Sequence, residues 1–463
     1  MAGDLLRASD LAAVREQLGR DPTTPFTVFA RCTGGHPLLI RNAALDVNGA
    51  PFPTTYWLTC PEAVRAVSRV ESEGWISALN DRAESDEAFG KAVEAAHRSY
   101  EKDRGTPDGG VGGTRAGTKC LHAHYAYHLA GGEDPVGAWV AERIEPVHRE
   151  QRPGRVAVID QGTNSIRLLV VEPAAEARDD PTELARDMVI TRLGRNVDRT
   201  GRLDPEALRR TVEVLARFCR RARALGAERI RVGATAAVRD ASNREELETA
   251  VREHAGSELE VLSGDHEAAL SFLGGTRGLD PTEGPFVLVD IGGGSTEFVV
   301  GREPGLADRA ISTQMGSVRM TERFVKSDPP TATELGAIAR AVASILDDVE
   351  AAVPVRDGRC LVAVAGTVTT TQACALGLDV YDPDLVHRSW LSLDDAERTL
   401  QRFASMTNEE RASIPVMPPG RGDVIIAGAV ILVTLMRRFS FDRALVSETD
   451  ILDGLAFDLL GVR

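Results

Sequence analysis

The chain has 463 residues, of which 43% are hydrophobic and 27% charged, a balance that excludes large-scale disorder and predicts about three globular domains. Its net charge of −15 argues against nonspecific nucleic-acid binding. Any site for an anionic ligand must therefore take its positive potential from local arginines, backbone N–H groups or a metal ion.

Targeting and redox features point to a cytoplasmic protein. The first residues show no charged start followed by an apolar core, so no secretory signal is predicted. The longest apolar run, 424–436, is too short for a membrane span and predicts a buried helix. Six scattered cysteines without a C-x-x-C pair fit reduced thiols.

Residues 1–145 are predicted to form a small α+β domain of their own. A helix is expected at 11–18, short strands at 26–31, 38–41 and 54–59, and helices at 62–73 and 85–102. A glycine-rich loop at 109–117 follows them. Residues 146–154, with two prolines and several charges, are predicted to be a linker.

The segment K-C-L-H-A-H-Y-A-Y-H at 119–128 carries a weak metal signal. If it is helical, Cys120, His124 and His128 lie at i, i+4 spacing on one face, which is compatible with zinc. The alternative is a packed, hydrogen-bonded helix face without metal, and the sequence favours this alternative.

The N-terminal domain resembles an uncharacterised bacterial domain family. The resemblance is carried by T-Y-W-L-T-C-P at 55–61, the V-G-G loop, and K-C-L-H-A-H-Y-A-Y-H-L-A-G-G at 119–132. It implies no activity.

A strand–turn–strand pattern opens the remaining two thirds of the chain. Residues 156–172 read V-A-V-I-D-Q-G-T-N-S-I-R-L-L-V-V-E, in which an apolar strand delivers Asp160 into a turn with glycine and hydroxyl groups. A long helix at 205–226 and a strand at 229–233 follow.

Two shorter motifs come next. Arg239, in A-T-A-A-V-R-D-A, is a candidate phosphate clamp, although a surface ion pair is the commoner role of a lone arginine. A strand at 258–262 leads into S-G-D-H-E-A, which places Asp265, His266 and Glu267 at a helix N-terminus. Carboxylates at helix starts are commonly only caps, but together with the acid-tipped hairpins this motif could supply a general base near a bound phosphate.

The same hairpin pattern then recurs as V-L-V-D-I-G-G-G-S-T-E-F-V-V-G at 287–301. Asp290 and Glu297 flank a triple-glycine turn. Exposed N–H groups suit phosphate oxygens and carboxylates suit a hard divalent cation, so this hairpin predicts a metal-phosphate site. Two acid-tipped hairpins indicate two similar domains that face each other across a cleft.

The last elements complete a second domain. Helices are predicted at 333–353, 421–436 and 450–460, and strands at 360–364 and 443–447. A-G-T-V-T-T at 365–370 is predicted to be a third turn with glycine and hydroxyl groups at the cleft. The P-loop signature is absent.

Over residues 155–463 the chain resembles the exopolyphosphatase and guanosine pentaphosphate phosphatase (Ppx/GppA) family. The resemblance rests on D-Q-G-T-N-S, A-T-A-A-V-R-D-A, S-G-D-H-E-A, D-I-G-G-G-S-T-E, A-G-T-V-T-T and R-G-D-V-I-I-A-G-A, in that order. It implies an α/β fold of two actin-like domains around a cleft in a short form of the family. The domains would cover 155–284 with the closing helix 449–463, and 285–448.

The resemblance also implies the activity and the site. The chain would release orthophosphate from the ends of polyphosphate or from guanosine pentaphosphate with Mg²⁺, Mn²⁺ being a second candidate, and a homodimer is left open. Glu267 would be the general base, Arg239 would clamp a phosphate, and Asp290, Glu297 and Asp160 would hold the metal. Phosphates would be bound by Asn164, Ser165, Gly293, Gly294, Ser295, Gly366 and Thr367.

His266 departs from the family pattern, because it stands where the family has a carboxylate beside the base. We expect it to remove a negative charge near the substrate and to alter rate or metal preference. Two other functions stay open, a kinase of the same fold and a non-catalytic sensor of polyphosphate or the alarmone. The retention of Glu267, Asp290 and Glu297 favours hydrolysis.

Overall fold

The computed structural model describes residues 8–32, 35–45, 52, 54–105, 109–144, 154–174 and 179–462. The predicted linker at 146–154 lies outside these residues except for Gly154.

The N-terminal unit is an α+β unit built on a three-stranded antiparallel sheet of order β1-β2-β3. Its strands are β1 Phe26–Arg31, β2 Pro37–Asn42 and β3 Tyr56–Leu58. Its helices are α1 Ala8–Leu18, α2 Pro61–Ser72, α3 Trp75–Ser85, α4 Glu87–Arg104, α5 Leu121–Leu129 and α6 Pro135–Arg143. The helix predicted at 85–102 is in fact preceded by another, α3, because Asp86 ends one helix and caps the next through the N–H of Phe89.

A five-stranded sheet of order β6-β5-β4-β7-β8 follows. The first three strands are antiparallel neighbours, and β7 and β8 add in parallel. The elements are β4 Val156–Gln161, β5 Ser165–Glu172, β6 Thr182–Ile190, α7 Val197–Thr200, α8 Pro205–Ala224, β7 Arg229–Ala234, α9 Ala236–Arg239, α10 Glu245–Ala255, β8 Leu259–Val261 and α11 Gly264–Thr276.

The next sheet has six strands in the order β11-β10-β9-β12-β14-β13 and repeats this plan. Again a hairpin and a third antiparallel strand are followed by parallel strands, here β12 and β14. Its elements are β9 Phe286–Ile291, β10 Thr296–Gly301, β11 Arg309–Thr313, α12 Ser317–Phe324, α13 Ala332–Ala352, β12 Cys360–Val364, α14 Ala365–Ala375, α15 Pro383–Val386, β13 Trp390–Ser392, α16 Leu393–Ser405, α17 Asn408–Ala412, α18 Ile425–Phe439 and β14 Arg443–Val446. The closing helix, α19 Ile451–Leu460, packs instead on β4 and β5 of the five-stranded sheet.

Local sequence explains most of these elements. All six residues of β4 and all six of β9 are buried, as expected for central strands covered on both faces. Asp204 caps α8 with Pro205 in its first turn, and Thr331 and Glu334 form a capping box at α13. The duplicated plan is the two-domain actin-like fold that the sequence predicted.

Helices α11 and α19 cross closely because glycines face the partner backbone at the contact. A Cβ on Gly274 of α11 would lie 1.8 Å from the carbonyl oxygen of Asp450, and one on Gly454 of α19 would lie 2.0 Å from that of Leu270. Both carbonyls are backbone atoms, so neither position admits a side chain. The crossing brings the start of α19 against the helix that carries Glu267.

Two element predictions near the C-terminal end need correction. A-G-T-V-T-T is not a turn but the start of α14: Ala365 takes a left-handed φ of 70° and reverses the chain directly from strand into helix. The helix predicted from Arg421 begins at Ile425, after turn residues at 422–424. The Arg421 guanidinium donates to Gly366 O and Thr370 Oγ1. The prediction that 424–436 is a buried helix is confirmed by α18. No helix in the described part of the chain is long and apolar enough to cross a bilayer.

The N-terminal unit packs firmly on the five-stranded sheet. One continuous apolar core includes Phe29 and Tyr127 from the N-terminal unit and Leu168 and Phe218 from β5 and α8. Arg221 of α8 is 1% exposed; it stacks over the Phe29 ring at 3.6 Å and donates to Asp187 Oδ2 at 2.8 Å. The unit is separate as a sheet but shares a core with its neighbour.

Candidate active site

A cavity of about 920 Å³ lies where the two hairpins meet. Its lining contains ten of the twelve site residues predicted from the sequence: Asp160, Asn164, Ser165, Glu267, Asp290, Gly293, Gly294, Ser295, Gly366 and Thr367. Arg239 and Glu297 are absent from this lining. The structure therefore gathers residues separated by up to two hundred positions in sequence into one place.

The glycines of the second hairpin let the two hairpins approach each other. A Cβ on Gly294 would lie 2.7 Å from Thr163 Oγ1, and one on Gly293 would lie 3.0 Å from Thr163 Cβ. Neither glycine has a positive φ. Because these glycines lack side chains, the two hairpins can pack closely and a ligand can approach the backbone of the turn.

Asp160 and Asp290 are the next-to-last residues of corresponding strands, β4 and β9, and are 3% and 6% exposed. Asp290 Oδ2 accepts a hydrogen bond of 2.6 Å from Ser271 Oγ. Asp160 Oδ2 accepts from Arg167 Nη2 at 2.7 Å, whereas the buried Asp160 Oδ1 has no hydrogen-bond partner among the described residues. Burial raises the pKa of both carboxyl groups, and nearby carboxylates add to the effect.

Glu267 lies in the first turns of α11, whose N-cap Ser263 accepts from the N–H of His266. Its Oε2 accepts a 2.9 Å hydrogen bond from Arg239 Nη1, and the same nitrogen donates to Leu262 O at 2.8 Å. Burial raises the pKa of Glu267 to about 7, against the lowering effect of Arg239. Glu267 is thus a fixed, buried carboxylate whose pKa lies near neutral pH.

In the structure the contacts of Arg239 are with protein groups. Its guanidinium pairs with Glu267 and a backbone carbonyl outside the cavity lining. This contact restricts the orientation of the Glu267 carboxylate, and the phosphate-clamp role of Arg239 stays a prediction.

Glu297 also lies away from the cavity lining. Glu297 is on β10, between Asp290 on β9 and Ser312 on β11, and β10 lies one strand farther from the sheet centre than β9. Its Oε1 accepts a hydrogen bond of 2.7 Å from Ser312 Oγ. Burial first, and then the negative charges of Glu267 and Asp290, raise the pKa of Glu297 well above its ordinary value.

His266 does not act where the sequence suggested. Its side chain is 44% exposed, its nearest acidic partner is Glu260 at 3.5 Å, and it does not line the cavity. Successive helix residues point about 100° apart, so the neighbour of an inward-facing Glu267 faces outward. Its expected effect on charge near the substrate is not supported.

Three site residues were missed by the sequence analysis. These are Arg167, Asp450 and Arg421. Arg167 of β5 forms ion pairs with Asp160 and with Asp450, the N-cap of α19, and both Arg167 and Asp450 line the cavity. Arg421 also lines it; burial lowers the pKa of this arginine to about 10, which leaves it cationic at neutral pH. An arginine inside the otherwise apolar strand S-I-R-L-L-V-V-E was the available signal for Arg167.

The predicted zinc ligands of the N-terminal unit do not come together. Cys120 precedes α5 in extended conformation, so the assumed helical spacing does not begin there. His124 is fully buried and its Nδ1 bonds Asp134 Oδ2 at 2.7 Å. Cys120, His124 and His128 therefore do not form a metal site.

Comparison with known proteins agrees with the fold. The profile of the Ppx/GppA phosphatase family matches residues 169–462, and that of a protein of unknown function, DUF501, matches residues 28–107 and 105–142. The chain is 41% identical over 317 residues to exopolyphosphatase 2 of Mycobacterium tuberculosis, covering 66% of this chain and 99% of that protein.

Two solved structures are similar over the same part of the chain. A crystal structure described as an exopolyphosphatase-like protein has 37% identity and a TM-score of 0.62, covering 66% of this chain and 98% of that one. The Ppx/GppA family member of Aquifex aeolicus has 29% identity and a TM-score of 0.56, covering 66% and 97%.

Proposed function

Because the chain belongs to the Ppx/GppA phosphatase family, we propose that it hydrolyses the terminal phosphoanhydride bond of linear inorganic polyphosphate and releases orthophosphate. The observation that carries the proposal is the cluster of Asp160, Glu267 and Asp290 at the junction of the two hairpins. Relatives named exopolyphosphatase support polyphosphate as the substrate.

Glu267 is the proposed general base. A base works best when its pKa is near the working pH, and burial raises that of Glu267 to about 7. The hydrogen bond from Arg239 restricts the carboxylate to one orientation, which would keep its other oxygen directed toward a water molecule bound in the cavity. The water attacks the terminal phosphorus, its proton passes to Glu267, and the shortened polyphosphate departs.

Asp160 and Asp290 fit a Mg²⁺ ion, with Mn²⁺ as an alternative. The unpartnered Oδ1 of Asp160 and the mutual repulsion of the buried carboxylates support a cation site here, and Mg²⁺ prefers carboxylate oxygens. When bound, such an ion neutralises phosphoryl oxygens. Glu297, behind Asp290, would act on this ion only through its charge or a bridging water.

The remaining lining supplies contacts for phosphate oxygens. Ala365, Gly366 and Thr367 form the first turn of α14 at the cavity, and a helix N-terminus favours anions. Asn164 and Ser165 contribute polar groups from the first hairpin, and Arg421 contributes a cation. Acidic side chains nevertheless outnumber basic ones in the lining, so a polyanion requires added cations to bind.

The direct test is orthophosphate release by the full chain from short polyphosphate, long polyphosphate and guanosine pentaphosphate, each with Mg²⁺ and with EDTA. We expect turnover of polyphosphate that is lost in EDTA and restored by Mg²⁺. Turnover of guanosine pentaphosphate alone would replace the proposed substrate. ADP formation dependent on an acceptor would support the kinase alternative, and tight binding without release would support the sensor.

A further inference from the structure

The N-terminal unit contains a group of metal-binding side chains that differs from the one its sequence suggested. Glu71 at the end of α2, Cys120 before α5 and His122 in the first turn of α5 place one ligand atom each within 4.8 Å of one another. His122 Nδ1 lies 3.3 Å from Glu71 Oε2 and 3.9 Å from Cys120 Sγ. The three atoms converge although Glu71 is about fifty residues away in sequence.

The hydrogen bonds of His122 orient its Nδ1 atom toward this group. Its other ring nitrogen, Nε2, lies 3.1 Å from Val64 O and 3.1 Å from Ser68 Oγ. A backbone carbonyl can only accept, so Nε2 carries the hydrogen, and in the neutral ring Nδ1 is unprotonated. A second ring N–H held by a backbone carbonyl is the usual support of a metal-bound imidazole.

The other two ligands are held in the same way. Glu71 Oε1 accepts a 2.6 Å hydrogen bond from the N–H of Leu121, which leaves Oε2 directed at His122. Cys120 is the N-cap of α5, so its sulfur lies at the start of the helix, 3.9 Å from His122 Nδ1. An imidazole nitrogen, a carboxylate oxygen and a sulfur atom that face one another offer three ligands to one metal ion.

We infer that Glu71, Cys120 and His122 bind one Zn²⁺ ion in the N-terminal unit, with a water molecule in the fourth position. Tetrahedral Zn²⁺ with ordinary bond lengths sets N and O ligands about 3.3 Å apart and N and S ligands about 3.5 Å apart. The observed separations of 3.3 and 3.9 Å need only a small closure of the thiolate. The side chains of His122 and Glu71 are 22% and 24% exposed, so water reaches the open position.

The ligand set selects the metal. Thiolate and imidazole favour zinc and disfavour Mg²⁺, which prefers oxygen ligands. No cysteine lines the catalytic cavity in the described residues, so the two proposed metal sites have different chemistry. The zinc site stands independently of the phosphatase proposal.

The test uses Co²⁺ as a spectroscopic substitute for zinc in the full chain after removal of bound metal. We expect one Co²⁺ per chain with tetrahedral visible bands and a near-ultraviolet thiolate-to-cobalt charge-transfer band, displaced by one equivalent of Zn²⁺. Cys120→Ser should lose the charge-transfer band, and Glu71→Gln and His122→Ala should lower Zn²⁺ affinity by tenfold or more.

His128→Asn is the matched control, because His128 is on α5 but outside the group, and it should bind like the wild type. Glu267→Gln should also keep the band, which separates this site from the catalytic one. A wild-type chain without a thiolate band, or a band that survives in Cys120→Ser, would overturn the zinc site. In the first case the cation between the ligands is a proton shared by His122 and Glu71.

Discussion

At the scale of single residues, the ion pair between Arg239 and Glu267 decides how the site responds to pH. A general base acts when deprotonated, so kcat/KM should rise with pH through the pKa of Glu267 and then level off. Arg239 lowers that pKa. Its removal should therefore move the acid limb of the profile to higher pH.

We predict that Arg239→Gln shifts the acid limb upward by about one pH unit or more, the usual effect of one adjacent opposite charge. The measurement is kcat/KM for phosphate release from pH 5 to 9. Arg244→Gln is the control, since Arg244 pairs with Glu248 on the surface of α10. An unshifted limb with a raised KM would restore the phosphate-clamp role that the sequence suggested.

Asp290 links the site to stability. Burial raises the pKa of Asp290 in the folded state. Below the unfolded-state pKa of about 4 the carboxyl group is protonated in both states, so its burial costs no ionisation free energy there. As pH rises above this value, the unfolded chain releases the proton before the folded chain does. The folded state therefore loses stability until the pH has passed the folded-state pKa.

We therefore expect Asp290→Asn to raise the free energy of unfolding by about 1–2 kcal/mol at pH 8 in EDTA, with no gain near pH 4. Urea unfolding at the two pH values measures this, with the exposed Asp394→Asn as control. Mg²⁺ should stabilise the wild type and not the Asn variant. A less stable Asn variant at pH 8 without metal would contradict the account.

The sequence located carboxylates better than their partners. Asp160, Asp290 and Glu267 were identified because each follows a strand at a turn or helix start, which is a local pattern. The pairing of Arg167 with Asp450 joins residues 283 positions apart, and no local pattern encodes it. The contacts of Arg239 with Glu267 and of Glu297 with Ser312 likewise join separate elements, and no local pattern predicts them.

At the scale of elements, the crossing of α11 and α19 fixes where the base lies relative to Asp450. The sequence predicted both helices but not their contact, because glycine in a helix reads only as a weak helix former. Likewise, A-G-T-V-T-T reads as a turn, and only the left-handed Ala365 makes it a helix start. Strands and long amphipathic helices were predicted within a few residues because their periodicity is local.

We predict that Gly454→Ala destabilises the protein by about 1–3 kcal/mol or more and lowers turnover, because its Cβ would meet Leu270 O. Gly336→Ala is the control: it is also helical, lies on α13 and has only the Arg340 side chain nearby, so it should stabilise by up to about 1 kcal/mol. Thermal unfolding and phosphate release measure both. Equal stability of the two variants would mean that the helices are not held at this distance.

At the scale of the whole molecule, the N-terminal unit forms part of the cavity wall. Phe26, Val28 and Arg31 of β1 line the cavity beside residues of β6, and the unit shares its core with α8. The sequence indicated an independent domain because composition and motifs change near residue 150, but burial across a domain contact has no local signature. We expect the unit to restrict which substrates enter.

Substitution of Arg221 measures how much its contacts with Phe29 and Asp187 contribute to the stability of the protein. Removal of its side chain leaves Asp187 buried without its charge partner, so Arg221→Ala should cost about 3–5 kcal/mol of unfolding free energy. Arg220→Ala, the neighbouring residue with a partly exposed ion pair to Glu133, should cost less than about 1 kcal/mol. Urea unfolding distinguishes them, and similar losses would show that Arg221 is not an anchor.

The most direct test of the central claim is phosphate release from polyphosphate by Glu267→Gln beside Glu258→Gln, an exposed glutamate ahead of the same helix. Glutamine keeps the shape and the contact with Arg239 but cannot take a proton from water. The account predicts a loss of about 10²-fold or more in kcat for Glu267→Gln, little change in KM, and wild-type activity for Glu258→Gln. A Glu267→Gln enzyme as active as the wild type would contradict it.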